Sequence, residues 1–169
     1  MQRFRSVFLF SLSFSLMSWA NAEALDRTKP VEVEADSVTL DMKTQTTTWV
    51  GNVIARQGTL LIKGDTMSGH QDASGFLTYT GTGSLLYFKQ KIDGKAAYTE
   101  GWAQRLDYSS QTGMVVLTGN AKLKNINDTL VGHSITYNMV NQSYFATSAG
   151  GKKRVRAVMY PENSPPSTP

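Results

Sequence analysis

The side chains of this chain that could transfer protons or hold a metal are two histidines, His70 and His133, and a set of aspartates at strand ends, Asp36, Asp65, Asp107 and Asp128. A zinc centre needs ligands at short spacing, as in His-x-x-x-His, and neither histidine has such a partner or a carboxylate at matching distance along the chain. Both are read as surface residues. Carboxylates at strand ends usually accept backbone N–H bonds in turns, and a sugar-cleaving acid pair would have to flank one cleft. Nothing in the sequence selects such a pair. Gly81-Thr82-Gly83-Ser84 lacks the helix behind it and the lysine beside it that a phosphate loop requires, so it is read as a turn. With no cysteine there is no disulfide and no thiolate ligand. No catalytic residue, metal or cofactor is expected.

Binding chemistry is better represented. Phe76, Tyr79, Tyr87, Phe88, Trp102, Tyr108, Tyr137, Tyr144 and Phe145 are spread along the chain, several in apolar surroundings such as Leu85-Leu86-Tyr87-Phe88. Stacking on single-stranded nucleic acid would need them outward on a basic face. Their apolar neighbourhoods favour an inner face and an apolar ligand. The basic cluster Lys152-Lys153-Arg154-Val155-Arg156 is read either as a solvated terminal strand or as an edge facing an anion.

Arg3 and Arg5, an apolar run from Val7 to Trp19 and the Ala20-Asn21-Ala22 site predict a secretory leader over 1–22, cleaved after Ala22. No later run is long enough for a spanning helix, so the remainder is expected to be exported and soluble. Losing Arg3 and Arg5 takes the formal charge from +4 to +2, too small a balance to argue for nucleic acid. Residues 23–160 suffice for one domain, and 161–169, rich in Pro and Ser, are expected to be a disordered tail.

Alternation of apolar and polar residues dominates the domain. Val31, Val33 and Ala35 keep one phase; after the Asp36-Ser37 step, a plausible bulge, Val38, Leu40 and Met42 resume it. Further strands are predicted near 46–56, 58–64, 76–80, 84–90, 96–108, 114–124, 129–139, 143–147 and 153–160, with hairpin ends at Gly81–Ser84 and Asp93-Gly94. Ala35, Thr44, Gly51, Asn52 and Gly64 recur 68 residues later as Ala103, Thr112, Gly119, Asn120 and Gly132. Such self-similarity marks stacked units that bury their apolar faces on one another. The fold is expected to be all-β, an open twisted antiparallel jellyroll of stacked hairpin units, taco-like, whose inner faces line a common trough. That trough would be an ordinary core if packed shut and a lipid slot if splayed.

Val31-Glu32-Val33-Glu34-Ala35-Asp36, Leu40-Asp41-Met42, Gly51-Asn52-Val53-Ile54, Gln57-Gly58-Thr59 and Val115-Val116-Leu117-Thr118-Gly119-Asn120-Ala121 resemble, in order and over nearly the whole exported chain, the OstA-like family of periplasmic lipopolysaccharide transport proteins. The resemblance implies a periplasmic, non-enzymatic carrier with no nucleotide or other cofactor. It holds acyl chains in the trough and leaves the phosphorylated sugars outside. It also implies head-to-tail self-association, with LptC at one terminal edge and LptD at the other. By position against the family, Val31 and Val33 face the trough and Phe88 and Tyr108 contact lipid. Periodicity adds Val38, Leu40, Trp49, Val53, Leu60, Ile62, Leu106, Val115, Leu117, Leu123, Ile135 and Tyr137 as candidate lining, each of which could equally be plain core. The Lys43-Thr44-Gln45-Thr46 turn and the short tail depart from the family pattern. Two rivals stand beside this reading. An outer-membrane barrel would need strands of about 9–11 residues with lipid-facing aromatic girdles; the shorter of the predicted strands and the polar tail ending at Pro169 argue against it. A carbohydrate-binding or adhesive jelly roll would carry outward aromatic platforms.

Overall fold

Ten strands and no helix make up the computed structural model, which describes residues 29–92, 94–150 and 153–161. The leader, Asp93, Lys152 and the tail beyond Pro161 lie outside them. In chain order the strands are β1 (Glu32–Glu34), β2 (Ser37–Asp41), β3 (Thr46–Gln57), β4 (Leu60–Gln71), β5 (Leu77–Lys91), β6 (Tyr98–Ser109), β7 (Met114–Asn125), β8 (Asp128–Asn138), β9 (Ser143–Thr147) and β10 (Arg156–Val158). All belong to one antiparallel sheet in which β3 to β8 pair in sequence. β1 and β2 share β3 at one end; β9 and β10 share β8 at the other.

That sheet is folded over on itself. The register slips in every long pair, between Val50 and Val53, Lys63 and Thr66, Thr82 and Leu86, Trp102 and Arg105, and Thr118 and Ala121. These slips form a line of bulges across the sheet, and bulges bend a strand and raise its twist. Each long strand therefore contributes one half to each of two leaves. The first leaf contains β2, 46–50, 66–71, 77–82, 105–109, 114–118, 134–138 and β9. The second contains β1, 53–57, 60–64, 86–91, 98–102, 121–125, 128–132 and β10.

The 68-residue repeat is the chemistry of this bend. Gly51 and Asn52 have φ of 84° and 48°, and their counterparts Gly119 and Asn120 have 83° and 49°. Glycine and asparagine are the residues that enter this left-handed region most cheaply. Asp36 fastens the first bend: its N–H donates to the Gly51 carbonyl at 2.9 Å, and its carboxylate accepts from Asn52 Nδ2 at 2.9 Å. The bulge expected at Asp36-Ser37 is thus the point where the chain crosses from the second leaf to the first.

Two expectations need correction. Gly81–Ser84 is not a hairpin end but a bend inside the continuous strand β5. Its glycines are demanded by close approach, since a Cβ on Gly81 would meet Leu86 Cδ1 at 2.8 Å and one on Gly83 the Asp65 backbone nitrogen at 3.2 Å. The long strands run 11 to 15 residues, so shortness does not exclude a membrane barrel. Topology does, because the sheet never closes: its ends are the short pairs β1/β2 and β9/β10.

Candidate functional site

Between the leaves lies a continuous apolar interior. Cross-strand pairs share a face, so the registers Val33–Ala55–Ile62–Phe88–Gly101–Leu123–Leu130–Ala157 and Val38–Trp49–Met67–Gly81–Leu106–Leu117–Ile135–Ala146 trace the inward row of each leaf. Of the residues expected to line it, Val53, Leu60, Ile62, Phe88, Leu106, Tyr108, Val115, Leu117, Leu123, Ile135 and Tyr137 are brought together in one buried cluster. Val33 and Trp49 pack on its margin. Val31 borders the opening at the β1 end. Val38 and Leu40 are not covered: they lie on the inward side of β2, opposite Trp49 and Thr47, yet remain 62% and 60% exposed.

The interior is closed at its centre and open towards its ends. Phe88, Leu86, Leu106, Leu117 and Ile135 have no solvent exposure. The leaves touch there because small residues face large ones; a Cβ on Gly101 would stand 2.7 Å from Leu117 Cδ1 and 2.9 Å from Phe88 Cδ1. Phe88 of the second leaf meets Tyr137 of the first with ring centroids 6.2 Å apart, and Tyr137 meets Tyr144 at 6.4 Å. At the β1/β2 end a narrow opening of about 20 Å³ is lined by Val31, Ala55, Leu60, Ile62, Met67, Tyr79 and Tyr108. At the β9/β10 end a wider one of about 250 Å³ lies between Tyr144 and Ala146 on one leaf and Leu123, Leu130 and Ala157 on the other. Two openings with largely apolar linings thus flank a packed centre.

Polar groups are confined to the periphery of this interior. Tyr79 and Tyr108 stack at 6.2 Å with 14° between ring planes, and burial, then the neighbouring Tyr108, pushes the Tyr79 hydroxyl above its ordinary pKa. Tyr79 thus stays neutral beside the narrow mouth. On the outer side of the first leaf, partial burial raises the Asp107 pKa, but hydrogen bonds from Arg105 (2.7 Å) and Thr80 (2.8 Å) and the Arg105 charge outweigh it and hold the carboxyl below its ordinary range. Gln90 is the exception. It is 2% exposed on the inward row of the second leaf, and neither side-chain polar atom has a partner among the described residues. An unsatisfied buried amide costs about 1–3 kcal/mol, so Gln90→Met is expected to raise unfolding stability by about 1–2 kcal/mol, measured by urea titration.

Sequence reasoning missed part of the lining. Met67 lies in 65–71, where Thr66, Ser68 and His70 face outward and Gly69 inward, so little apolar signal extends the strand. The signal was alternation with glycine counted as an inward residue: Tyr79 Cε1 would lie 2.7 Å from a Cβ on Gly69. Leu86, Ala103, Ala121 and Met139 also join the buried cluster. Tyr87 and Trp102 instead face outward, with ring centroids 5.6 Å apart. The Tyr87 hydroxyl donates to the Glu100 carboxylate. Burial, that hydrogen bond and the Glu100 charge push its pKa up to about 12. His70 and His133 are exposed, and His70 Nδ1 lies 3.1 Å from the Thr44 carbonyl.

Residues 32–143 match the family model described as LptA/(LptD N-terminal domain) LPS transport protein. The lipopolysaccharide export system protein LptA of Escherichia coli K12 is 35% identical over 140 residues, covering 80% of this chain and 74% of that protein. LptH of Pseudomonas aeruginosa is 31% identical over 147 residues, covering 86% and 84%. LptA of Haemophilus influenzae is 30% identical over 161 residues, covering 89% of each. The crystal structure of Pseudomonas aeruginosa LptH, a periplasmic component of a lipopolysaccharide transport device, superposes with a TM-score of 0.75 at 28% identity, covering 80% of this chain and 99% of that one.

Proposed function

Because the chain belongs to the LptA/LptD N-terminal domain family of lipopolysaccharide transport proteins, we propose that it carries lipopolysaccharide across the periplasm with the acyl chains held between its two leaves. The observation that carries this reading is the unbroken apolar interior running from the narrow mouth at Val31 to the wide mouth at Ala157. Acyl chains entering either mouth gain about 0.8 kcal/mol per buried CH₂, about 8 kcal/mol for ten methylenes. That gain offsets separation of the apolar faces meeting at Phe88 and Leu117, which exchange protein contacts for hydrocarbon contacts. The lining residues named above would hold lipid once the leaves part. No bond is made or broken, and no residue is asked to act as acid or base.

Passage onward is proposed to use the sheet's own ends. β1 and β2 at one end and β9 and β10 at the other are short edge strands with unpaired backbone, a liability unless another strand adds to them. LptC is proposed to dock on one end, LptD on the other, and further copies of this chain head to tail. Addition of a strand at either end would continue the apolar interior into the partner. Val33→Pro in β1 is expected to lower the concentration-dependent mass seen by sedimentation; an unchanged mass distribution counts against edge pairing.

Two tryptophans report the two faces. Trp49 lies on the inward row and Trp102 on the outward one. With Trp102→Phe, lipopolysaccharide carrying brominated acyl chains is expected to quench Trp49 emission strongly. With Trp49→Phe, the same lipid should leave Trp102 largely unquenched. Equal quenching of both would place the chains outside the leaves and end this reading.

A further inference from the structure

Outward side chains of the second leaf differ from those of the first. The first leaf presents Ser and Thr in nearly every strand, with Arg105 paired to Asp107. The second presents Lys63 on β4, Lys89 and Lys91 on β5, Lys122 and Lys124 on β7 and Arg156 on β10. The ion pairs formed among the described residues, Arg56–Glu34 and Arg105–Asp107, engage none of these six cations. Lys122 Nζ lies over the Trp102 ring, 5.2 Å from its centroid, and Lys89 Nζ over the Tyr98 ring at 4.0 Å. Glu100, the carboxylate in register with Lys124, is already engaged by the Tyr87 hydroxyl.

Three of these six cations, Lys122, Lys124 and Arg156, share a concavity. Where β7, β8 and β10 meet, an outward groove of about 550 Å³ is lined by Lys122, Lys124 and Arg156 together with Asn127, Thr129, Val131, Val158 and Tyr160, and among the described residues no carboxylate lines it. Tyr160 is held in place by its N–H, which donates to Asp128 Oδ1 at 3.0 Å. Thr129 and Val158 line both this groove and the wide apolar mouth. Only the thickness of the sheet separates a place for hydrocarbon from a place for anions.

We propose that this groove binds the phosphorylated sugar portion of lipopolysaccharide, with Lys122, Lys124 and Arg156 contacting phosphate oxygens and the Tyr160 ring packing on a sugar C–H face. The proposal rests on the carrier reading above and deepens it, giving the charged half of the amphiphile a site on the same end of the sheet as its chains. Charge complementarity selects the occupant: three clustered cations favour a polyanion, and charge-assisted bonds to phosphate are the strong ones.

The test uses the full exported chain and chemically deacylated lipopolysaccharide oligosaccharide that retains its phosphates, titrated by calorimetry alongside the same oligosaccharide after dephosphorylation. Binding is expected for the phosphorylated form only, weakening as salt is raised. The double variant Lys122→Gln/Lys124→Gln should weaken it at least tenfold, whereas Lys43→Gln in the turn after β2 should not. Absence of binding, equal affinity for the dephosphorylated sugar, or an unchanged affinity in the double variant would each overturn the proposal. The carrier reading is scored separately by quenching of Trp49 with brominated chains. A deacylated probe cannot report on the interior, so failure of either idea is visible without the other.

Discussion

Phe88→Ala is expected to lower the unfolding free energy by about 3–5 kcal/mol, the range for removing a fully buried aromatic side chain. Typical domains are stable by only about 5–15 kcal/mol, so this one change consumes a large part of the margin. The reason is its position. Phe88 has no exposure, pairs in register with Ile62 and Gly101, and meets Tyr137 of the opposite leaf at 6.2 Å. Collapse into the space is opposed because its neighbours Leu86, Leu106, Leu117 and Ile135 are themselves fully buried and packed against one another. Urea denaturation should show a lower midpoint with the slope unchanged. A loss below about 1 kcal/mol would mean that the centre is not packed as described. In functional terms, the cavity would join the two mouths, so the same variant is expected to take up lipid more readily while folding less stably.

Gly119→Val is expected to cost about 3 kcal/mol, at the top of the range for a strained backbone residue. A β-branched side chain is a true outlier at the φ of 83° held there. Its Cβ would also meet Gln104, whose own Cβ is 3.0 Å from the ideal position. Gly51→Val should behave alike, since Gly51 has a φ of 84° and faces Asp36, the residue 68 positions before Gln104. Both substitutions act at the bend, so relief of the strain would flatten the sheet and expose inward apolar residues. Increased binding of a hydrophobic dye should accompany the lowered midpoint in each. Stability unchanged in both variants would show that the repeated Gly-Asn steps do not set the bend.

Much of this was readable in the residues, and the parts that were not have physical causes. Alternation at Val53, Leu106, Val115 and Leu117 places those side chains inward because the period of a strand is two, whatever the tertiary context. The Gly51-Asn52 and Gly119-Asn120 steps announced a repeated unit. Their role as bends within strands was hidden because glycine serves tight turns and bulges alike, and Gly81–Ser84 was misread for that reason. Thr66–Gln71 escaped because an inward glycine leaves no apolar signal. Val38 and Leu40 show a different limit: alternation gives the face of the sheet they occupy but not whether another leaf lies across from it. Whether inward residues touch lipid or only one another depends on how far the leaves part, which no pattern of residues encodes.

The most direct test of the central claim places a photocrosslinking amino acid at Tyr144 and at Leu106, inside the interior, and at Val116 and Thr48, on the outward side of the first leaf. Adducts with lipopolysaccharide at the two inward positions and none at the outward pair are the predicted result. Adducts at Val116 and Thr48, with Tyr144 and Leu106 unlabelled, would contradict it.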